Sequence, residues 1–384
     1  MPALRALLVG GPMYEPLYAR LEKFTDITGL QLEIVKSLDH PDLNHRIETE
    51  FGDGTARYDL ISTHTKYAPG QAQWLTSLPE ILEEELADFE PRTIELARIG
   101  GELKSIPRNL DIKLLYYRKD LIENPPKTWE EFKTVALEQT CEGRYGFVFP
   151  GKESGLFGHF YELTAMAGAN LFKGSSIDKL EVHTDTDAAR WALGFLLELY
   201  EKTAPKEIPD WHYDEVSRCF RDGHAAMTTD WPGGFYQYND PASSVHEKFD
   251  LAIYPTGPTG RQIYAGSHAF AIPTTVQDRP AALQMLRYLT SEPSQTLEAR
   301  QGSLPTRKKA LEIVKGEAEP GSLAEKRWKL LGQASRSTLI PPKHAKYPAC
   351  EDIIWRGVRK ALTRELEVEA ALAWIEEEAK RVLE

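Results

Sequence analysis

Cysteine is scarce, with three residues in 384, at positions 141, 219 and 350. No Cys-x-x-Cys or Cys/His cluster exists, so the cysteines give no zinc site and no disulfide framework, although one pair could still bridge. Long apolar runs are missing too. A membrane-spanning helix needs roughly 18 apolar residues, and none is present. The run Ala6-Leu7-Leu8-Val9 is too short for the core of an export signal, and Gly10-Gly11-Pro12 ends it. The chain therefore reads as one written without its export signal, or as cytosolic. Positive charge is in deficit, with 46 Lys and Arg against 58 Asp and Glu, a net charge of −12. That excludes the basic face a nucleic-acid partner would need.

Catalytic signatures are missing as well. There is no Gly-x-Ser-x-Gly, no His-Glu-x-x-His, no complete P-loop and no dinucleotide-binding glycine pattern. His40 and His45 stand five apart, a poor spacing for one helix face, and no third ligand is near in sequence. Neither a metal nor a cofactor is expected. Asp185 and Asp187 lack the glycine and distal Glu of an EF-hand and read as helix-capping residues.

What is present is an ordinary globular composition, 41% hydrophobic and 27% charged, long enough for two or three domains. Strand and helix periods alternate from the start. Residues 4–9 form an apolar strand, Leu17, Leu21 and Phe24 a helical stripe, and Leu30, Leu32 and Ile34 a second strand. Residues 42–51 read as a helix and 58–62 as a strand ending in Thr63-His64-Thr65. This alternation predicts an α/β fold with a largely parallel sheet. Further on, Thr128 and Glu131 make a capping box after Pro125-Pro126. Thr184-Asp185 caps a helix from about residue 188 to 201. Val368, Ala371, Leu372, Ile375, Ala379 and Val382 form one face of a C-terminal helix, suited to packing on its own lobe.

Two stretches carry a family resemblance. One is Gly266-Ser-His-Ala-Phe-Ala-Ile-Pro-Thr-Thr, followed by Leu289-Thr-Ser-Glu and Leu304-Pro-Thr-Arg. The other is Arg118-Lys-Asp-Leu-Ile-Glu-Asn-Pro-Pro-Lys-Thr-Trp-Glu-Glu-Phe. Their order and spacing resemble the sugar-binding solute-binding proteins of ABC importers, and the resemblance runs over nearly the whole chain. It implies a two-lobed periplasmic-binding-protein fold with a central cleft and crossing hinge strands. One lobe would be 1–111 plus 256–311, the other 112–255 plus 312–384. The crossings would fall near 111–114, 254–257 and 310–314.

In such a fold the ligand meets the ends of strands and the loops beyond them. Sugars need aromatic faces for their C–H surfaces and planar polar groups for vicinal hydroxyls. Gly11 and Tyr14, in the first turn, are candidates. His64 and Thr65 end a strand. Asn109 and Asp111 share a face by the period of two. His159 lies beside Phe157 and Tyr161 ahead of an apolar helix. Asp230 and Trp231 end a strand before a glycine pair. Gly266 and His268 form a turn in which many members of the family resembled carry Trp, so here a polar, protonatable ring replaces a stacking face. Tyr347 would supply an aromatic from the second lobe, with Trp355 in helix core. Arg307 suits an anionic glycan or a hinge-side salt bridge.

The resemblance implies a substrate-binding component that captures a sugar, oligosaccharide or related polar glycan by hinge closure and hands it to a membrane-embedded ABC permease. It also implies a periplasmic or membrane-anchored monomer. Two other readings stay open. A hydrolase could draw a carboxylate pair from Asp111, Glu162 and Asp230. A cytosolic sugar-sensing module would suit the missing export signal.

Overall fold

The computed structural model describes residues 3–10, 14–37, 40–176 and 179–384. The chain divides into two compact units, Met1–Asp111 with Gly266–Ala318, and Ile112–Ala265 with Glu319–Glu384. By compactness the second and third passages between units fall at 265/266 and 318/319, against 255/256 and 311/312 in the sequence reading. Local pairing accounts for the difference. Thr256 bridges Thr128, and Ile263 and Tyr264 pair with Thr338 and Leu339, which ties 256–265 to the second unit. The helix Lys308–Glu317 joins the first unit through an Arg300–Glu317 ion pair with the preceding helix.

The first unit is built on a five-stranded sheet. Leu4–Val9 lies between Leu32–Ser37 and Leu60–His64, parallel to both. His268–Ala271 then runs antiparallel to Leu60–His64, and Ile106–Pro107 closes the edge. Alternation along Leu4–Val9 sends Leu4, Ala6 and Leu8 into one apolar cluster and Leu7 and Val9 into another. The sheet is thus covered on both faces. The helix Glu15–Thr28 buries Leu17, Leu21 and Phe24, the predicted stripe. It stops at Gly29, whose φ of 71° lets its amide reach back to the Thr25 carbonyl. The helix predicted at 42–51 spans His40–Gly52.

The second unit holds a four-stranded sheet in the order Phe249–Ala252, Leu114–Arg118, Ala225–Asp230, Tyr145–Val148. The Thr128 hydroxyl accepts from the Glu131 amide at 3.2 Å, as expected, but the Glu131 carboxylate reaches back to the Lys127 amide rather than to that of Thr128. Two local expectations shift. The cap of the helix Asp187–Thr203 is Thr186, whose hydroxyl accepts from the Ala189 amide at 3.0 Å, while the Thr184 hydroxyl donates to the Leu372 carbonyl. Phe157, His159 and Tyr161 lie inside the helix Glu153–Met166 rather than before it. Its glycines are needed for packing, since a Cβ on Gly158 would sit 2.9 Å from the Tyr264 ring. The C-terminal helix Val368–Leu383 packs on Tyr347–Leu362 within the same unit. No helix among the described residues is long and apolar enough to cross a membrane. All three cysteines are free thiols.

Candidate functional site

In the first unit the predicted polar residues converge. His64 ends its strand and His268 begins the antiparallel neighbour, directly opposite in register. Their imidazoles therefore share one end of the sheet, with ring centres 4.9 Å apart. His268 Nε2 lies 2.8 Å from Asp111 Oδ2. Asn109 sets this geometry. Its Oδ1 accepts from the His268 amide at 3.1 Å, and its Nδ2 donates to Asp111 Oδ1 at 3.0 Å. The Thr65 amide donates to the Ser267 carbonyl at 3.0 Å, and Thr65 Oγ1 accepts from the Ser267 amide at 3.3 Å. Gly266 is strand, not a turn, and its value is space: a Cβ there would lie 2.6 Å from His64 Nε2. The Tyr14 ring stands 6.0 Å from that of His268, under the Arg108 guanidinium at 4.5 Å. Burial, with Asp111 second, pushes the Tyr14 phenol pKa up. Gly11 lies outside the described residues.

A third imidazole joins them. His40, at the start of its helix, places its ring 4.4 Å from His268 and 5.7 Å from His64. Burial, then His268, lowers the His40 pKa well below the ordinary imidazole value, and the same causes in the same order lower His64. His40 and His45 are not brought together, in keeping with their spacing. His45 is exposed, while His40 meets partners that the sheet brings from 24 and 228 residues away. Arg108, also missed, is buried; its Nε donates to Glu298 Oε1 at 2.6 Å.

The second unit arranges its candidates differently. Trp231, half-buried, follows the strand Ala225–Asp230. Its ring meets Tyr213 edge-on at 5.6 Å and Tyr264 at 6.4 Å, with Lys113 Nζ 5.9 Å from its centre. Asp230 is turned inward. Its carboxylate accepts from Ser217 Oγ at 2.9 Å, the Trp231 amide at 2.7 Å and the Tyr238 hydroxyl. His159 is buried between Thr229 and Tyr254, with its pKa lowered by burial and then by Lys113. Tyr347 is fully buried and donates to Glu351 at 2.5 Å. Glu162, also buried, accepts from Lys113 Nζ at 2.9 Å, the Tyr254 hydroxyl at 2.6 Å and the Tyr264 amide at 2.6 Å. Trp355 is not core: with Trp374, Arg356 and Arg359 it lines a surface recess of about 590 Å³. Arg307 makes a salt bridge to Asp88 at 3.1 Å.

Two α/β units, each carrying polar or aromatic side chains at strand ends, match a known pattern. A family model described as bacterial extracellular solute-binding protein covers residues 10–296. The chain belongs to this family of solute-binding proteins. A probable ABC transporter-binding protein of Deinococcus radiodurans is 26% identical over 310 residues, covering 76% of this chain and 72% of the relative. A maltooligosaccharide ABC transporter solute-binding lipoprotein of Streptococcus pneumoniae is 23% identical, over 56% of this chain and 52% of its own length. Among solved structures, maltose-bound MalE3 of T. maritima superposes with a TM-score of 0.89 at 27% identity, covering 99% of this chain and all of the other. A Thermotoga lettingae solute-binding protein bound with α-D-tagatose gives 0.86 at 22% identity over the full length of both.

Solute-binding proteins of this kind are non-enzymatic, and nothing favours the hydrolase alternative. The buried carboxylates agree with that: Glu162 and Asp230 are each held by three donors. The residues missed in sequence were His40, Arg108, Lys113, Tyr213 and Tyr264. Lys113 was legible from Asp111 by the period of two. His40 was legible as the first helical residue after the strand Leu32–Ser37, where such folds present ligand-facing groups.

Proposed function

We propose that this solute-binding protein captures a sugar or short oligosaccharide and delivers it to a membrane-embedded ABC permease. Family membership and the relatives named for maltooligosaccharide support the transport reading. The observation that carries the sugar reading is the half-buried Trp231 ring at a strand end, flanked by Tyr213 and Tyr264, an aromatic face suited to the C–H surface of a pyranose. His64, His268, Asp111 and Tyr14 supply polar groups from the first unit. A ligand that binds one arrangement of the chain better shifts the population toward it. The protein would work as a monomer outside the cytoplasmic membrane, free or lipid-anchored.

A thermal-shift screen of the purified protein against neutral sugars, maltooligosaccharides, acidic sugars and polyols tests this, with product analysis on every hit. A rise in Tm with the ligand recovered intact is expected. Consumption of the ligand, or no response to any carbohydrate, would refute it. Trp231→Ala should weaken the best hit about tenfold or more, roughly 1–2 kcal/mol. Unchanged affinity would remove Trp231 from the site.

A further inference from the structure

The three clustered imidazoles of the first unit leave a chemical question that sugar binding does not answer. His268 Nε2 lies against Asp111, and its Nδ1 is buried with no hydrogen-bond partner. His40 Nε2 is buried without a partner as well. A buried polar atom left unpaired costs about 1–3 kcal/mol, and two side by side demand a reason. An imidazole nitrogen with a free lone pair attracts a cation. Asp111 adds a negative charge there, opposed by the positive charges of Arg108 and Lys66 that also act on His40.

From this geometry we infer that His40, His64 and His268 form a binding site for one divalent transition-metal ion, with Asp111 orienting His268. Ligand atoms of His64, Asp111 and His268 fall within 4.8 Å of one another, and His40 joins them through its ring position, 4.4 Å from the His268 ring. For a tetrahedral zinc ion with bonds of about 2.0–2.1 Å to three imidazoles, the ring centres would stand roughly 5 Å apart. The observed separations of 4.4, 4.9 and 5.7 Å bracket that value. A carboxylate on the far nitrogen of a ligand histidine fixes its tautomer and strengthens it as a donor, the arrangement His268 and Asp111 already hold. Imidazole ligands select zinc, copper or nickel over magnesium or calcium.

One bond must change on loading. His64 Nδ1 accepts from the Lys66 amide at 3.1 Å, so the ring proton sits on Nε2. Coordination through Nε2 moves that proton to Nδ1 by way of solvent and releases the amide. The loss is one hydrogen bond, small beside a zinc–imidazole contact. Gly266 fits the same scheme, since it leaves the space that His64 Nε2 occupies. The inference does not depend on the sugar reading, because the ion needs only the first unit's own side chains.

Calorimetric titration of the full chain, chelator-treated and free of any polyhistidine tag, with zinc chloride near neutral pH tests it. Cobalt(II) absorption reports the coordination geometry. One equivalent of zinc is expected, with a tetrahedral cobalt spectrum. His40→Ala and His268→Ala should each weaken zinc on the order of a hundredfold while their metal-free melting stays cooperative, and Asp111→Asn should cost tenfold or more. His45→Ala, on an exposed residue, should change nothing. The inference is overturned by the absence of stoichiometric binding at micromolar zinc, or by binding that survives both histidine substitutions together. Sugar affinity measured in chelator is a separate readout, so failure of the metal site and failure of the sugar reading are told apart.

Discussion

Two buried polar clusters, one in each unit, are satisfied to different degrees. In the second, Glu162 and Asp230 are buried and each is held by three donors. In the first, the rings of His40 and His268 pack 4.4 Å apart, yet each keeps a buried nitrogen with no partner. The contrast teaches that burial alone does not mark a site. A buried carboxylate ringed by donors is a structural element, whereas an unsatisfied nitrogen points to something that arrives later.

The strongest way to break this comparison is to remove a partner in the second unit. Glu162→Ala leaves the Lys113 ammonium buried and uncompensated, and should destabilise the protein by about 3–5 kcal/mol in urea unfolding. The double change Lys113→Met with Glu162→Leu should cost markedly less, because it removes both charges. If the single substitution leaves the unfolding midpoint in place, the Lys113–Glu162 pair is not structural and the distinction between the units falls.

How the sequence fared follows the same line. Strand Leu4–Val9, the Leu17-Leu21-Phe24 stripe and the Thr128 cap depend on neighbours within a few residues, so periodicity and capping chemistry sufficed. Strand-end positions were legible too, which is why His64, Asp111 and His268 were named and do converge. Their partners were not. Asp230 carries the same letters whether it faces a ligand or Tyr238 and Ser217, and only the packing of two later and earlier helices decides. His40 looked isolated because its companions come from distant strands. Tyr347 read as a binding aromatic, yet its helix turns it wholly into the core. Orientation and satisfaction are tertiary properties, and no local pattern encodes them.

A second prediction sharpens the comparison through pH. His159 faces Lys113, Glu162, Tyr254 and Thr229, and burial depresses its folded-state pKa below the unfolded value of 6.5. A depressed histidine contributes stability that is present above pH 6.5 and is lost as pH falls from there through the folded-state value, because only the unfolded chain takes up the proton. The slope is at most about 1.4 kcal/mol per pH unit. Chemical denaturation below pH 6.5 should therefore show a steeper acid loss in the parent than in His159→Gln. Parallel curves would mean that His159 is protonated equally in both states.

The smallest stability effect belongs to Gly266. Its Cα lies beside His64, and an added Cβ would come within 2.6 Å of Nε2 and 2.8 Å of Cε1. The clash is with the end of a side chain rather than with backbone, so the imidazole can swing aside. Gly266→Ala should shift stability by no more than about 1 kcal/mol, within the range of mild overpacking. The same swing takes His64 away from His268 and His40, so zinc affinity should drop about tenfold or more while melting hardly moves. A variant that melts normally and binds zinc as the parent does would show that His64 is dispensable to the cluster. A variant that loses several kcal/mol would show instead that the ring is locked in place by the fold, and the first unit would then resemble the second.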